Sequence, residues 1–141
     1  MVIRKIQLEN DLEDLYILLS QVWFLDDKNL FIENVKNIIN DVEWFVVEQD
    51  NKIIGSTILY MQKKVIRNGC VAGLIEEVVV DEKYRGKKIG EKLIKYVTKK
   101  AEEKGCYKVI LSCFPERIRF YERCGYKKES HTMRFNFNQK S

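Results

Sequence analysis

The chain has 141 residues, of which 45% are hydrophobic and 33% charged, and its formal net charge is +4. This composition is typical of one soluble globular domain, and it excludes a disordered or membrane-embedded chain. No apolar stretch approaches the roughly 18 residues that span a membrane, and the N-terminal sequence MVIRKIQLEND lacks the apolar core of a secretory signal. We therefore expect a single domain over residues 1–141, a cytoplasmic location and no membrane partner.

The N-terminal part of the chain predicts one strand followed by two helices. Residues 2–8 (VIRKIQL) alternate as a strand does. Residues 11–22 place leucines at helical spacing, with Asn10 as the expected helix cap, and residues 30–39 repeat the helical pattern. The order strand, helix, helix therefore opens the chain.

Three strands follow as a meander. Residues 43–48 (EWFVVE) and 52–61 (KIIGSTILYM) are separated by Gln49-Asp50-Asn51, a good hairpin turn. A second turn, Arg67-Asn68-Gly69, leads into residues 71–81 (VAGLIEEVVVD). This spacing predicts antiparallel neighbours.

The second half of the chain predicts a βαβ unit. Residues 91–104 have an apolar helical face opposite a lysine-rich one, and residues 107–113 (YKVILSC) predict a strand. A strand, a helix and a strand in this order place the last strand parallel to residues 71–81. A short helix over residues 116–123 and a final strand over about residues 129–137 complete the order βααβββαβαβ. This order is a mixed α+β sheet.

The cysteine and histidine content argues against a metal site. The four cysteines have no Cys-x-x-Cys spacing, and His131 is the only histidine. We therefore expect buried free thiols and no bound metal. A catalytic Ser/His/Asp or Cys/His arrangement, which would have to use His131, is not expected either.

A basic, glycine-containing turn lies between a predicted strand and a predicted helix. Residues 82–93 read EKYRGKKIGEKL. The first N–H groups of a helix have no partner within the helix and favour an anion, and Gly86 and Gly90 let a ligand approach the backbone. Neither a Walker loop nor GxGxxG is present. From these residues alone, a solvated basic turn and a phosphate site remain open alternatives.

Two stretches match motifs of a known family. VVVDEKYRGKKIGEKLIKYV resembles the acyl-CoA-binding segment of GNAT-type N-acetyltransferases, Gln/Arg-x-x-Gly-x-Gly/Ala, with Arg85 and Gly90 at its ends. Lys88 stands where the middle glycine is usual. FYERCGY, residues 120–126, resembles the family's FYxxxGF signature. Two motifs at this separation are far more specific than either alone.

The resemblance is most specific to glucosamine-6-phosphate N-acetyltransferases. GCYKVILSCFPERIRFYERCGY is similar to their corresponding run, and GLIEEVVV is similar to their G-x-[IV]-E-D-[IV] strand. Two positions depart from that pattern. Ser112 replaces an acidic residue associated with the sugar, and Arg117 replaces the usual asparagine before the tyrosine.

The resemblance implies a GNAT-like fold, in which a central, mostly antiparallel twisted sheet has a parallel βαβ unit and helices on both faces. It implies acetyl-CoA as cofactor, with the backbone of Val78, Val79 and Val80 along the pantetheine arm. The pyrophosphate is expected on the amides of Arg85, Gly86, Lys87, Lys88, Ile89 and Gly90. Arg117 is expected near a phosphate of the cofactor or substrate.

Tyr121 is the expected proton donor to the departing thiolate. A phenol with a pKa of ~10 and a thiol with a pKa of ~8.5 are close enough for proton transfer. The alternative is an aromatic residue that only packs on a short helix, as expected for Phe120 beside it.

Two glutamates are candidate proton acceptors for the amine. Glu76 and Glu77 interrupt an apolar strand, and simple alternation places them on opposite faces. Glu76 is the first choice because it matches the family's glutamate, and Glu77 stands at the family's aspartate position. Trp23, Phe24 and Ser112 are, with Glu77, the candidate substrate residues. The alternatives are solvated carboxylates and ordinary core packing of the aromatic residues.

The leading hypothesis is an acetyl-CoA-dependent N-acetyltransferase that acts on a small primary amine by direct attack in a ternary complex. Glucosamine 6-phosphate or a related amino sugar is the first candidate acceptor, and a peptide, protein or polyamine amine is the alternative. A sugar phosphate predicts a basic acceptor cleft and a polyamine predicts an acidic one.

A non-catalytic acyl-CoA-binding domain is the competing class. Nucleic acid is not an expected partner, because Tyr84, Tyr96 and Tyr107 make a poor stacking platform. Analogy with related enzymes adds the expectation of a homodimer.

Overall fold

The structure, a computed structural model, describes residues 1–138. The strands are β1 (Val2–Lys5), β2 (Val42–Gln49), β3 (Lys52–Lys63), β4 (Val71–Val80) and β5 (Cys106–Ile110). The helices are α1 (Leu8–Ser20), α2 (Lys28–Ile38), the single turn α3 (Ile66–Gly69), α4 (Ile89–Glu103) and α5 (Ile118–Arg123). Short 3-10 turns lie at Glu82–Tyr84 and Pro115–Arg117.

The strands follow one another across the sheet in the order β1-β2-β3-β4-β5. Neighbours are antiparallel except β4 and β5, which are parallel. The predicted mixed α+β sheet, with its meander and βαβ unit, is confirmed. Pairing between β4 and β5 ends at Leu74 and Ile110, whereas β4 continues to Val80. The last residues of β4 therefore have no β5 partner in the ladder.

Helices cover both faces of the sheet and bury two apolar clusters. The first cluster, on the side of α1 and α2, contains Leu15, Leu18, Leu19, Phe31, Val35, Val42, Trp44, Val46, Ile53, Ile58 and Val79. The second, on the side of α4, contains Phe45, Val47, Ile54, Leu59, Ile75, Ile89, Leu93, Ile94, Val97 and Ala101. Successive residues of β2 alternate between the two clusters, because side chains along a strand point to opposite faces.

The start of α1 differs from its prediction. The helix begins at Leu8, so Asn10 is not its cap. The buried carboxylate of Asp11 instead accepts a hydrogen bond from the Gln7 backbone N–H at 2.7 Å and two from Arg4 at 2.8 and 2.9 Å. Although burial acts to raise it, these donors hold the pKa of Asp11 below its usual value. An ion pair with Arg4 of β1 and a hydrogen bond from the Gln7 backbone thus anchor the start of the helix, where the sequence pattern suggested a cap at Asn10.

The turn between β2 and β3 is a tight two-residue turn. Asp50 and Asn51 have φ values of 53° and 61°. Two successive residues with positive φ form the turn that best matches the twist of paired strands, and Asp and Asn tolerate this backbone. The predicted hairpin is confirmed, and its strands pair directly from Gln49 and Lys52.

The C-terminal segment also differs from its prediction. The prediction of a strand over about residues 129–137 is wrong, because these residues form neither helix nor strand. Met133, Phe135 and Phe137 alternate as strand residues do, yet 91%, 82% and 71% of their surfaces are exposed. An alternating pattern becomes a strand only when a neighbouring strand pairs with it. Within residues 1–138 no strand pairs with this segment.

The four cysteines are free thiols, as expected, but Cys113 is exposed and the other three are only partly buried. In the described part of the chain, no helix combines the length and the apolar character needed to cross a membrane. The same residues contain no group of three or more His, Cys, Asp or Glu side chains that could hold a metal ion.

Candidate active site

Two clefts lie along the end of β4, and they differ in charge. The basic cleft has a volume of about 530 Å³ and lies between β4, the loop that follows it, α4 and α5. It is lined by Val78, Val79, Val80, Tyr84, Arg85, Gly86, Lys88, Ile89, Gly90, Glu91, Arg117, Phe120, Tyr121 and Arg123. The acidic cleft has a volume of about 370 Å³ and lies between α2, the connection that precedes it, β2 and β4. It is lined by Leu19, Phe24, Leu25, Asp26, Asp27, Leu30, Phe31, Asn34, Val35, Ile38, Trp44 and Glu77.

The loop that forms the basic cleft has a backbone that few side chains favour. Gly86 has a φ of +82°, and Lys88, which precedes α4, has a φ of 61° in the left-handed region. A non-glycine residue there is strained by roughly 1–2 kcal/mol, which explains why glycine is usual at the Lys88 position. A Cβ atom on Gly90 would lie 3.2 Å from the Phe120 ring. Glycine at this position therefore lets α4 approach α5 closely.

The electrostatics of the basic cleft suit an anion. Its lining carries four basic side chains and one carboxylate, namely Arg85, Lys88, Arg117, Arg123 and Glu91. The first turn of α4 also lines the cleft, and the N–H groups of a first turn have no partner within the helix. The Arg85 Nε donates a hydrogen bond to the Val80 carbonyl at 3.2 Å, which ties the loop to the end of β4. Positive charge and free N–H donors are the features that a pyrophosphate needs.

The structure brings together every residue predicted for the cofactor except Lys87. The Lys87 ammonium instead lies 5.4 Å from the ring centroid of Tyr84. Sequence reasoning missed four lining residues that stand within or beside the two motifs, namely Tyr84, Glu91, Phe120 and Arg123. Their positions next to motif residues were the only available signal.

Tyr121 lies on α5 and lines the basic cleft. Its ring contacts Phe120 edge to face, with centroids 4.9 Å apart, and Tyr126, with centroids 6.2 Å apart. Burial, followed by the neighbouring Cys113 thiol, raises the pKa of Tyr121 to about 12, against a lowering contribution from Arg117. The phenol therefore keeps its proton near neutral pH. It is also a weaker acid than its ordinary pKa of about 10 suggests.

A β-bulge in β4 marks the boundary between the two clefts. The register of β4 against β3 shifts by one residue, so that Thr57 alone lies opposite both Glu77 and Val78. Glu77 has a φ of 53°, which is strained for this residue. Glu77 lines the acidic cleft, whereas Val78 lines the basic cleft. The expectation that Glu76 and Glu77 take opposite faces rests on simple alternation, which does not apply across a bulge.

The acidic cleft gathers three carboxylates, those of Asp26, Asp27 and Glu77, and within residues 1–138 no Lys, Arg or His lines it. Asp27 also accepts a hydrogen bond from the Leu30 backbone N–H at 3.0 Å and so caps α2. The remaining lining is largely apolar and aromatic. The cleft therefore suits a positively charged group attached to an apolar or ring-shaped body.

Only two of the candidate substrate residues, Phe24 and Glu77, line the acidic cleft. Trp23 is not part of its lining. The Ser112 hydroxyl lies within hydrogen-bond distance, 2.8 Å, of the Thr132 hydroxyl in the C-terminal segment.

Sequence reasoning missed Asp26, Asp27 and Trp44, which do line the acidic cleft. The indole N–H of Trp44 donates to the Ser56 hydroxyl at 2.8 Å, and this buried bond fixes the ring. A tryptophan within an apolar strand looks like a core residue, and two aspartates before a helix look like caps. Neither pattern signals a cleft.

The environment of Glu77 is unusual for a carboxylate. Burial, followed by the charge of Glu76, raises the pKa of Glu77. Burial and the charges of these two carboxylates likewise raise the pKa of Tyr60 on the neighbouring strand. A carboxylate with a raised pKa is a better proton acceptor near neutral pH. Glu76 lines neither cleft, so the geometry favours Glu77 for that role.

The fold and the two clefts fit an acyltransferase, because one cleft suits an anionic acyl carrier and the other suits a cationic acceptor. The chain belongs to the acetyltransferase (GNAT) family, whose model matches residues 7–126. It is 38% identical to glucosamine 6-phosphate N-acetyltransferase of Arabidopsis thaliana over 72% of this chain and 69% of that protein. It is 37% identical to glucosamine 6-phosphate N-acetyltransferase 1 of Dictyostelium discoideum over 75% of this chain and 71% of that protein.

The solved structures agree with this assignment. The crystal structure of glucosamine-6-phosphate N-acetyltransferase from Arabidopsis thaliana matches the fold with a TM-score of 0.85 at 32% identity, and the match covers 97% of this chain and 98% of that chain. The predicted GNAT-like fold is therefore confirmed. So are the predicted enzyme class and donor, an N-acetyltransferase that uses acetyl-CoA.

Proposed function

We propose that the protein transfers the acetyl group of acetyl-CoA to an amino sugar phosphate, with glucosamine 6-phosphate as the first candidate acceptor. One observation carries this proposal: GLIEEVVV and FYERCGY, the two stretches that resemble motifs of enzymes with that activity, supply the bulge of β4 and the side chain of Tyr121. Small-molecule amine acetylation is supported by the same relatives.

The basic cleft is the proposed acetyl-CoA site. The amides of residues 85–90 and the guanidinium of Arg117 would hold the phosphates, and the backbone of Val78, Val79 and Val80 would pair with the pantetheine arm. Support comes from the end of the ladder at Leu74, because the later residues of β4 have no β5 partner. An extended arm that adds to such an edge is held by backbone groups.

Glu77 and Tyr121 are the proposed proton-transfer groups. Glu77 takes the proton of the incoming ammonium, directly or through water, and later releases it to solvent. When bound, acetyl-CoA would supply an acetyl thioester. Its C–S bond would break as the amine nitrogen forms the C–N bond, and the nitrogen would release its second proton to solvent as the amide forms. Tyr121 donates a hydrogen bond to the sulfur as charge develops there, passes its proton to the thiolate and regains one from solvent. Because the pKa of Tyr121 is about 12, this transfer depends on the positive charge around the cleft.

The acidic cleft is the observation that favours a second candidate acceptor. A phosphorylated sugar needs positive charge near its phosphate, whereas Asp26, Asp27 and Glu77 supply three carboxylates. A polyamine or another unphosphorylated cationic amine matches this lining better. The second candidate function is therefore acetylation of such an amine by the same groups.

One assay separates the two candidates. Release of free CoA from acetyl-CoA would be measured with glucosamine 6-phosphate, glucosamine, a polyamine and an N-terminal peptide amine at matched concentrations. The first proposal predicts the highest kcat/KM with glucosamine 6-phosphate. A preference for the polyamine would replace it with the second. No release with any amine, while acetyl-CoA still binds, would support a non-catalytic acyl-CoA-binding domain.

The protein is further proposed to be a cytoplasmic homodimer. Free thiols are typical of a reducing compartment. Met133, Phe135 and Phe137 are exposed, and a second copy could cover them against the outer edge of β5, which has no partner strand within residues 1–138. Light scattering would test the dimer: the double variant Phe135→Asp, Phe137→Asp should be monomeric, and a wild-type monomer would refute it. Cell fractionation would test the location.

A further inference from the structure

Two buried hydroxyl groups stand side by side in the central strand β3. Ser56 and Thr57 are 1% and 0% exposed, and the only other buried polar or charged residue among the described ones is Asp11. The sequence around them, KIIGSTILYM, is otherwise largely apolar. Buried hydroxyl groups cost stability unless they are hydrogen-bonded, so the partners of these two show what they support.

Thr57 is bonded to the bulge of β4. Its hydroxyl donates to the carbonyl oxygen of Glu76 at 2.9 Å, and Thr57 lies opposite the two residues that form the bulge, Glu77 and Val78. The hydrogen bond therefore holds β4 at Glu76, the residue directly before the bulge. Valine, which has the same shape, would fill the space but would leave this carbonyl without its hydroxyl partner.

The bulge needs such support because Glu77 has a φ of 53°. A strained backbone of this kind persists only where contacts with the surrounding structure hold it in place. Without the bulge, Glu77 would follow the ordinary alternation of the strand, and its carboxylate would leave its present place in the acidic cleft.

We propose that Thr57 is a positioning residue for acetyl transfer: its hydroxyl holds the bulge that directs Glu77 into the acidic cleft and Val78 into the basic cleft. The proposal rests on the role of Glu77 given under the proposed function. Thr57 itself lines neither cleft, so it acts only through the backbone of β4.

Ser56 provides a matched comparison on the opposite face of the same strand. Its hydroxyl accepts the indole N–H of Trp44 at 2.8 Å and so supports the wall of the acidic cleft rather than the bulge. Ser56→Ala and Thr57→Val each remove one buried hydroxyl bond. They should therefore cost similar stability and differ in their kinetic effects.

The titration of Glu77 gives a readout that loss of stability alone would not move. The groups near it are Glu76 on its own strand, Tyr60 on β3, and Asp26 and Asp27 on the connection before α2. Burial raises the pKa of Glu77, so the rate should fall on the acidic side at a higher pH than an ordinary glutamate would give. Without the bulge, alternation would place Glu77 on the face of Ile75, on the side of α4 and the basic cleft, away from Asp26 and Asp27. The positive charge of the basic cleft would then move this acidic limb to lower pH.

The experiment compares Thr57→Val, Thr57→Ser, Ser56→Ala and Glu77→Gln with the wild-type enzyme, using the amine with the highest turnover and temperatures at which all variants are folded. Thr57→Val should lower kcat about tenfold or more, leave the KM for acetyl-CoA within about twofold, and shift the acidic limb to lower pH. Thr57→Ser should have the wild-type kcat and the wild-type acidic limb, because it retains the hydroxyl. Ser56→Ala should change the KM for the amine and leave the acidic limb in place. Equal kinetics for Thr57→Val and Thr57→Ser would overturn the proposal.

A second measurement separates this proposal from the role of Glu77. If Glu77→Gln keeps its full rate, the proposed role of Glu77 fails, and amide NMR spectra then decide the role of Thr57. Thr57→Val should shift the Glu76, Glu77 and Val78 amides and speed their hydrogen exchange more than Ser56→Ala does. Unchanged amides at these three residues would overturn the positioning role.

Discussion

The basic cleft and the acidic cleft share β4 but are built in different ways. The basic cleft comes mainly from two stretches of chain, one from the end of β4 into α4 and one around α5. The acidic cleft is assembled from α1, the α1–α2 connection, α2, β2 and one residue of β4. A cleft made of contiguous residues leaves a local pattern in the sequence, whereas a cleft made of dispersed residues does not.

Under the proposed function, the difference in charge would separate the two ligands. The basic cleft would attract the phosphates of the cofactor, and the acidic cleft would attract an ammonium group and repel those phosphates. Each ligand would thereby be directed to its own side of β4. Four substitutions test how far this separation depends on single residues.

The largest effect is expected for Asp11→Ala, which removes the ion pair that anchors α1 on the acidic-cleft side of the sheet. Arg4 would lose its buried partner but keep its bond to Glu48, so the loss of unfolding free energy should be about 3 kcal/mol, the lower end of the usual cost of breaking a buried pair. Urea unfolding measures this loss. The exposed pair of Glu13 and Lys28 is the control, and Glu13→Ala should cost less than about 1 kcal/mol.

Asp11 also predicts a pH dependence. Its pKa is lower in the folded protein than in the unfolded chain, so its contribution to stability is fully present above the unfolded pKa. That contribution is lost as the pH falls through the folded pKa. Wild-type stability should therefore decline in acid more steeply than that of Asp11→Ala. Parallel declines would contradict the importance of this carboxylate.

The next effect is expected for Tyr121→Phe, which tests the chemical role of the basic cleft. Loss of the phenol hydroxyl should lower kcat about a hundredfold, the usual scale for a general acid, and leave the KM for acetyl-CoA within about twofold. Steady-state kinetics with varied acetyl-CoA measures both. Tyr126→Phe is the matched control, because Tyr126 is also partly buried and bonds Thr98 but lines neither cleft. Similar losses in the two variants would make Tyr121 a packing residue.

A somewhat smaller effect is expected for Glu77→Gln in the acidic cleft. The proposed proton acceptor would be lost, so kcat should fall about tenfold or more, with the largest deficit on the acidic side of neutrality, where fewer amine molecules are already neutral. The matched variant is Glu76→Gln, which should lose less because Glu76 lines neither cleft. A larger loss in Glu76→Gln would restore the first choice made from the sequence.

The smallest effect is expected for Lys88→Gly. Glycine removes the strain of the left-handed backbone at this position and should stabilise the fold by up to about 1 kcal/mol. It also removes one positive charge from the basic cleft, so acetyl-CoA should bind a few-fold more weakly, and added salt should reduce the difference. Calorimetric titration measures the affinity. Lys87→Ala, outside the cleft lining, should change it less.

How much of each cleft could be predicted depends on whether its residues are contiguous along the chain. Arg85, Gly90 and Tyr121 could be placed from the sequence because their neighbours along the chain are also their neighbours in the cleft. Asp26 and Trp44 could not, because nothing in the local pattern shows that the two elements meet. The fold was predictable from periodicity and turn residues, which act locally.

Two other differences are caused by contacts between separate elements of the fold. The bulge at Glu77 depends on the register between β3 and β4, which alternation within one strand does not reveal. Asn10 was predicted to cap α1, but the start of the helix is instead held by the ion pair between Asp11 and Arg4, which come together only in the folded chain. The prediction of a C-terminal strand was wrong for a related reason, because a strand forms only when a neighbouring strand pairs with it.

The bulge in β4 also has a consequence for the fidelity of folding. A regular hairpin can slip by two residues and keep its faces, whereas an extra residue in one strand marks a unique alignment with its neighbour. If β3 and β4 paired without the extra residue, the side chains on one side of the irregularity would exchange faces, and Ile75 or Val79 would leave its cluster for the wrong side of the sheet. The bulge therefore discriminates between the native pairing and its misaligned competitors while the meander forms.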